Sequence, residues 1–176
     1  MTHSISIVRL FDAPRELVFR VWVSAEDVGT WFAPGGFAVT ECELDARPGG
    51  RWHVRYESPA GEAYLEHGEF REVVPPERLV LTLTQRDGDG RSAPETVVTV
   101  VLAERDGKTE MTFLQTGLTS PETRDALAEG WRGCFDLLDA RLTAHPAEDT
   151  GKGNTVSTTA DEDRYRPAGP RPEAGG

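Results

Sequence analysis

The chain has 176 residues, with 30 acidic and 19 basic side chains and a formal net charge of −11. A chain of this length makes one domain, or one domain with a tail. The negative charge argues against electrostatic binding to nucleic acid or to an anionic membrane. No run of about 18 apolar residues and no secretion signal occurs, so we expect a cytoplasmic protein. The two cysteines, Cys42 and Cys134, form no paired motif, which excludes a disulfide framework and a cysteine-based zinc site.

The first elements in chain order are a strand and two short helices. Residues 4–11 alternate between two faces, which predicts a strand. Asp12 is a candidate N-cap, and Pro14 a candidate first-turn residue, for a helix that ends near Ser24. A second helix is expected over residues 25–32, before a Pro-Gly-Gly turn.

Six strand-like segments and one long helix follow. Alternating apolar residues predict strands over residues 37–45, 51–57, 62–74, 78–86, 95–104 and 109–116. Ser120 is the expected cap of an amphipathic helix that runs from Pro121 to Thr143 over roughly 35 Å. An antiparallel sheet that curls around one long helix is the natural packing for this order. The sequence therefore predicts an α+β fold.

The composition changes near residue 145. Residues 145–176 contain four prolines and five glycines, and their only sizeable apolar side chains are Val156 and Tyr165. Such a segment cannot bury enough surface to offset the entropy of ordering. We therefore predict a folded domain over residues 1–144 and a disordered tail over residues 145–176.

The turn Ser58-Pro59-Ala60-Gly61 predicts the register of the strands on either side of it. If Glu57 pairs with Ala63, then Trp52 lies opposite Gly68, which leaves space for the indole. One face of the pair is then largely aromatic and should look toward the long helix. Its members are Trp52, Val54, Tyr56, Tyr64, Glu66, Gly68 and Phe70.

Glu66 is the one carboxylate on this aromatic face. An isolated carboxylate there is costly unless it is paired, protonated or solvated. Three interpretations remain open. Glu66 is solvated at the open edge of the sheet, or the register is displaced by one residue; it is a hydrogen-bonding group or general acid/base in a cavity; or it pairs with an arginine.

The opposite face of these strands carries two histidines. In the predicted register His53 lies across from His67, with Glu69 nearby. No third ligand with suitable spacing is present, so no metal site is predicted.

Near the end of the last strand, Gln115 shares a face with Met111 and Phe113. A glutamine can orient a ligand but cannot act as a general base. The alternative is a residue at the end of a strand that is capped by local backbone.

On the long helix, Trp131 and Phe135 lie on the apolar stripe, either as core or as ligand contacts. Gly130 and Gly133 lie inside the same helix, and each costs up to about 1 kcal/mol relative to alanine. Their missing side chains either allow close approach of the sheet or leave volume for a ligand. Cys134 has no neighbouring base in the pattern, so no nucleophile is predicted.

Several short motifs occur in order over about residues 5–142. They are Arg9, Ala13-Pro14, Trp31-Phe32 with Pro34, Asp45-x-Arg47-x-Gly49-Gly50-Arg51-Trp52, Gly68-x-Phe70-x-Glu72-Val73-Val74-Pro75-Pro76-Glu77-Arg78-Leu79-Val80, Thr109-x-Met111-Thr112 and Gly130-Trp131. In this order the chain resembles the START-like, or SRPBCC, superfamily with its helix-grip fold. More closely it resembles the family of homologues of the heat-shock protein 90 ATPase activator. The resemblance implies a cavity between the curved sheet and the C-terminal helix.

Relatives in that superfamily bind lipids, hormones, polyketides or other apolar small molecules, and some are aromatases or cyclases. Gln115 stands where many of them carry a histidine or another polar residue, which argues against acid/base catalysis here. We therefore expect the domain to bind an apolar or aromatic small molecule, without a metal or cofactor. The expected ligand contacts are Trp52, Val54, Tyr56, Tyr64, Glu66, Phe70, Phe113, Gln115, Trp131 and Phe135.

Two alternative functions remain. One is an enzyme similar to polyketide cyclases or aromatases, in which the candidate catalytic residue Glu66, alone or with Tyr56 or Tyr64, moves a proton on a bound polyketone. The other is a co-chaperone that stimulates an ATPase; it ranks last because the resemblance covers only the helix-grip domain, so a chaperone partner is not expected. A homodimer that forms through the first strand or an exposed sheet edge is compatible with the sequence.

Overall fold

A computed structural model describes residues 1–33 and 35–144. The predicted order of one strand, two helices, six strands and a long helix is confirmed, with boundaries within two residues. The elements are β1 (His3–Phe11), α1 (Arg15–Val23), α2 (Ala25–Trp31), β2 (Ala38–Leu44), β3 (Arg51–Glu57), β4 (Ala63–Val74), β5 (Arg78–Arg86), β6 (Thr96–Arg105), β7 (Lys108–Leu118) and α3 (Pro121–Ala144).

The seven strands form one antiparallel sheet in the order β1-β7-β6-β5-β4-β3-β2. Strands β1 and β2 are therefore its two edges. The helices cover the inner face: α3 contacts β1 and β7 as well as α1 and α2. The core consists of the buried apolar side chains of this face and of the three helices. The α+β helix-grip architecture is thus confirmed.

The predicted register between β3 and β4 is confirmed, with Trp52 opposite Gly68. A Cβ atom on Gly68 would overlap the carbonyl oxygen of Thr82 and lie 2.8 Å from Nε1 of Trp52. The indole crosses β4 at this glycine, and Nε1 donates a hydrogen bond of 3.0 Å to the Thr82 carbonyl on β5. Gly68 thus allows one aromatic side chain to connect three neighbouring strands.

The helix starts agree with the sequence in part. The expectation that Asp12 caps α1 is wrong: Pro14 occupies the N-cap position in an extended conformation, and no side chain caps the helix. Asp12 lies two residues too early to reach the free N–H groups of the first turn. The prediction for Ser120 is confirmed, because its hydroxyl accepts a hydrogen bond of 3.1 Å from the Thr123 N–H.

Ion pairs attach the C-terminal half of α3 to its neighbours. Asp27 of α2, which is only 5% exposed, accepts hydrogen bonds from Nη2 of Arg141 at 2.6 Å and from its Nε at 3.2 Å. Nearer the middle of the helix, Asp136 pairs with Arg9 of β1 at 2.9 Å. Asp27 is buried whereas Asp136 is exposed, so removal of the arginine costs more in the first pair than in the second.

Among the residues that the structure describes, no helix is long and apolar enough to cross a membrane. The predicted disordered tail, residues 145–176, lies outside the described residues.

The crossing at Gly68 predicts that Gly68→Ala lowers the free energy of unfolding by about 3 kcal/mol, the upper end for overpacked interiors. Gly130→Ala is the matched control, because nothing lies within 4 Å of its Cβ position. It should stabilise the protein by up to about 1 kcal/mol, since alanine is the better helix former. Urea denaturation measures both changes. Equal stability of Gly68→Ala and wild type would contradict the close crossing.

Removal of the Arg141 guanidinium should leave one oxygen of the buried Asp27 carboxylate without its partner. We expect Arg141→Met to lower the free energy of unfolding by about 2–3 kcal/mol. This loss is smaller than that for a fully isolated charge, because Arg20 still lies 3.8 Å from the other carboxylate oxygen of Asp27. Asp136→Asn, which breaks the exposed pair, should cost at most about 1 kcal/mol. Similar losses for the two variants, measured by thermal and urea unfolding, would refute this ranking.

Candidate functional site

Aromatic side chains fill most of the space between the sheet and α3. Trp131 of α3 packs on Phe113 of β7 with ring centroids 4.6 Å apart, and on Phe32 at 5.5 Å. The ring centroids of Phe135 and Phe113 are 5.2 Å apart, and those of Trp52 and Phe32 are 5.8 Å apart. The aromatic residues that the sequence placed in the interior therefore contact one another closely.

Two small cavities lie within this packing. The first has a volume of about 20 Å³ and is lined by Trp22, Val28, Trp31, Phe32, Leu44, Trp52, Val54, Phe70, Leu81, Leu83, Val98 and Trp131. The second has a volume of about 60 Å³ and is lined by Glu66, Leu83, Gln85, Ala93, Pro94, Thr96, Gln115, Gly117, Leu118, Thr119, Thr123, Leu127 and Trp131. Leu83 and Trp131 line both cavities. We call them the apolar cavity and the polar cavity.

Glu66 provides the buried carboxyl group of the polar cavity. It is only 7% exposed, and its Oε1 accepts hydrogen bonds from the Tyr56 hydroxyl at 2.9 Å and from Nε2 of Gln85 at 3.3 Å. Burial raises the pKa of Glu66 to about 7, although these two hydrogen bonds lower it in part. No arginine in the described part of the chain forms an ion pair with it. Solvation at the sheet edge, a displaced register and an arginine pair are thereby excluded.

The second carboxyl oxygen of Glu66 differs from the first. Within residues 1–33 and 35–144, no side chain or backbone group donates a hydrogen bond to Oε2. Because Glu66 lines the polar cavity, this oxygen is the part of the carboxyl that a bound molecule can reach.

Gln115 connects the helix to the sheet through side-chain hydrogen bonds. It is 1% exposed; its Oε1 accepts from Nε1 of Trp131 at 2.9 Å, and its Nε2 donates to the Thr96 hydroxyl at 2.9 Å. The Thr96 hydroxyl in turn donates to the Leu83 carbonyl at 2.9 Å. Gln115 is therefore not capped by local backbone; it orients Trp131 on the wall of the polar cavity.

The remaining predicted contact residues divide into two groups. Trp52, Val54 and Phe70 line the apolar cavity, together with Trp131. Four others line neither cavity: Phe113 and Phe135, which are fully buried, and Tyr56 and Tyr64, which stack 5.5 Å apart. The Tyr64 hydroxyl donates to Glu62 at the surface, 2.9 Å away.

Gln85, Thr96 and Trp22 are among the residues of the two cavities that sequence analysis missed. The alternation that places Leu83 of β5 inward continues to Gln85, so this signal was available for Gln85. Trp22 is buried against the apolar cavity, and its Nε1 has no hydrogen-bond partner among the described residues. A buried N–H of this kind costs about 1–3 kcal/mol, and no sequence pattern indicates it.

The cysteines and histidines do not extend the site. Burial raises the pKa of the Cys42 thiol to about 12, and burial together with Glu66 raises the pKa of the Cys134 thiol well above its usual value. Both are neutral thiols near pH 7. His53 lies opposite His67 as predicted, on the outer face. In the described part of the chain, no group of three or more His, Cys, Asp and Glu side chains has the arrangement of a metal site.

Sequence comparison identifies the family. The sequence model of the family described as "Activator of Hsp90 ATPase homolog 1-like protein" (AHSA1) matches residues 12–143. The chain belongs to this family. None of the curated proteins matches it.

Solved structures agree with AHSA1 membership. Protein CV1439 from Chromobacterium violaceum is 27% identical, with a TM-score of 0.69 over 78% of this chain and 95% of that chain. A protein from Arthrobacter aurescens is 26% identical, with a TM-score of 0.71 over 82% of this chain and 87% of that chain. The AHSA1 protein SPO3351 from Silicibacter pomeroyi is 24% identical and shares the fold, with a TM-score of 0.73 over 81% of this chain and 99% of that chain. The resemblance inferred from the motifs is therefore confirmed.

The surroundings of Glu66 predict a pH-dependent stability. Its pKa is about 7 in the folded protein and 4.5 in its ordinary state, so the folded state holds the proton between these values while the unfolded chain releases it. Stability is therefore lost as the pH rises through 7. Glu66→Gln keeps a neutral acceptor, and its stability relative to wild type should rise by about 3 kcal/mol from pH 4.5 to pH 8.

Urea denaturation of wild type and Glu66→Gln at several pH values measures this change. Glu69→Gln, an exposed carboxyl on the opposite face of β4, is the control and should show little change relative to wild type. A stability difference between Glu66→Gln and wild type that is independent of pH would show that Glu66 is ionised in the folded protein throughout.

Proposed function

We propose that the protein binds a small, largely apolar molecule between the curved sheet and α3, with the polar group of that molecule in the polar cavity. One observation carries the proposal: a buried carboxyl, Glu66, presents an unpaired oxygen to a cavity whose other walls are mainly apolar. Binding pockets typically combine an apolar lining with a few convergent polar groups. Membership of the AHSA1 family, which suggests a ligand-binding domain, supports this function.

The volumes indicate how a ligand would be accommodated. Typical small-molecule sites have about 300–1,000 Å³, whereas the two cavities have about 20 Å³ and 60 Å³. We infer that a ligand displaces Trp131, because this large side chain lines both cavities. Movement of the indole breaks its single hydrogen bond to Gln115 and joins the two cavities.

We infer from the ion pairs of α3 that its N-terminal half moves. The ion pairs that join α3 to other elements in the described residues, Arg141 with Asp27 and Asp136 with Arg9, lie in its C-terminal half. The N-terminal half contributes Thr123, Leu127 and Trp131 to the polar cavity. Entry of the ligand beneath this half leaves the ion pairs intact.

A proton-transfer role is the second candidate. A carboxyl with a pKa of about 7 is well suited to donate or accept a proton at neutral pH. The Tyr56 hydroxyl, whose pKa is raised by burial and by Glu66, stays protonated beside it. In this case Glu66→Gln would abolish turnover while it preserves binding.

We also propose that the protein acts in the cytoplasm, which is compatible with its two free thiols.

Native mass spectrometry of the purified protein, compared with the denatured protein, tests ligand binding. We expect a small molecule to be retained, and its loss from Glu66→Gln but not from Glu69→Gln. Thermal-shift measurements with apolar and aromatic compounds provide a second readout. We expect Glu66→Gln to bind these compounds at least about tenfold more weakly than wild type, which corresponds to the loss of one charge-assisted hydrogen bond. The absence of both a retained mass and any thermal shift would contradict the proposed function.

A further inference from the structure

The hydrogen bonds around Glu66 determine which ligand group it can receive. The Tyr56 hydroxyl uses its single hydrogen on Oε1 of Glu66. Nε2 of Gln85 lies 3.0 Å from the Tyr56 hydroxyl oxygen and 3.3 Å from Oε1. Because these two acceptors are only 2.9 Å apart, they share one N–H of the amide. Neither neighbour donates to Oε2, which is therefore the oxygen left to accept a hydrogen bond when Glu66 is ionised.

The charges around the polar cavity favour a cation at that position. None of its lining residues is an arginine, lysine or histidine, and Glu66 is the one ionisable residue among them. An anionic ligand group would place two negative charges together, whereas a cation would compensate a carboxylate that the folded protein leaves uncompensated. The negative net charge of the chain also attracts cations over longer distances.

From this donor and charge arrangement we propose that the ligand is a small amine: its protonated nitrogen donates to Oε2 of Glu66, and its apolar body contacts Leu83 and Leu127 and takes the place of the Trp131 indole. This inference rests on the proposed function and specifies the ligand class for the same site. No covalent step is involved. The amine binds the ionised form of Glu66, so binding at a pH where Glu66 is partly protonated releases a proton to solvent.

The pH dependence follows from the groups that face Glu66. Tyr56 on β3 and Cys134 on α3 are the titratable neighbours, and both have raised pKa values that keep them neutral near pH 7. From β5 the neighbour is Gln85, which does not titrate. With a Glu66 pKa of about 7, about one molecule in ten is ionised at pH 6 and about nine in ten at pH 8. A protonated amine should therefore bind about tenfold more weakly at pH 6 than at pH 8.

Isothermal titration calorimetry with benzylamine, benzyl alcohol and benzoate tests the inference, because these probes share one ring and differ in charge. At pH 8 we expect benzylamine to bind wild type at least about tenfold more tightly than benzyl alcohol, with benzoate weakest. Glu66→Gln should remove the preference for benzylamine, and Glu69→Gln should keep it. Titrations in buffers of different ionisation enthalpy should show proton release at pH 6.5.

Benzyl alcohol binding as tightly as benzylamine, no binding of benzylamine, or an unchanged preference in Glu66→Gln would each overturn the inference. The pH dependence and the proton release are measured on wild type, so they test the binding of the amine to ionised Glu66 even if Glu66→Gln does not fold. A retained neutral molecule, or binding of benzyl alcohol alone, would leave the proposed ligand-binding function standing while the amine is rejected. Failure of every probe and the absence of a retained mass would remove both.

Discussion

The packing of Trp131 against the inner face of the sheet determines how much room the fold leaves for a ligand. A seven-stranded sheet presents more apolar surface than one helix can cover, and aromatic rings fill the difference. Trp131 lies between Phe32, Phe113 and Phe135, and it lines both cavities. Its position depends in turn on a buried hydrogen bond to Gln115. The free volume beside α3 therefore depends on one side chain that is hydrogen-bonded to the sheet through the Gln115 amide.

The polar groups of the interior serve two different purposes. Gln115 and Thr96 satisfy each other and the Leu83 carbonyl, an arrangement that fixes Trp131 and suits a stable core. Glu66 is only half satisfied, since both of its protein donors reach the same oxygen. An apolar residue in its place would avoid the cost of burying a carboxyl. A group that reduces stability in the free protein but meets a cavity is expected at a functional site.

Local patterns determined most of the fold. The turn after Glu57 fixes the register of β3 and β4, and the alternation of side chains then places Glu66 inward. The surroundings of Glu66 could not be predicted, because Gln85 reaches it from β5 across a ladder whose register shifts between Phe70 and Glu72. The hydrogen bond between Trp131 and Gln115 could not be predicted either, because it depends on the position of α3 over the sheet. Cavity volumes depend on such packing between elements that are distant in sequence.

The cost of displacing Trp131 favours a ligand with a ring of its own. Loss of a buried tryptophan side chain from a core costs about 3–5 kcal/mol, and movement of the indole to the surface forfeits part of that. At about 3 kcal/mol, the open state is populated by roughly one molecule in 150, and the affinity of any ligand is reduced by the same factor. A polar cation alone cannot recover this loss, because it offers no apolar surface to Leu83 and Phe113. The proposed amine would recover it if it carried an apolar ring, since the ring would replace the indole contacts while the nitrogen reached Glu66.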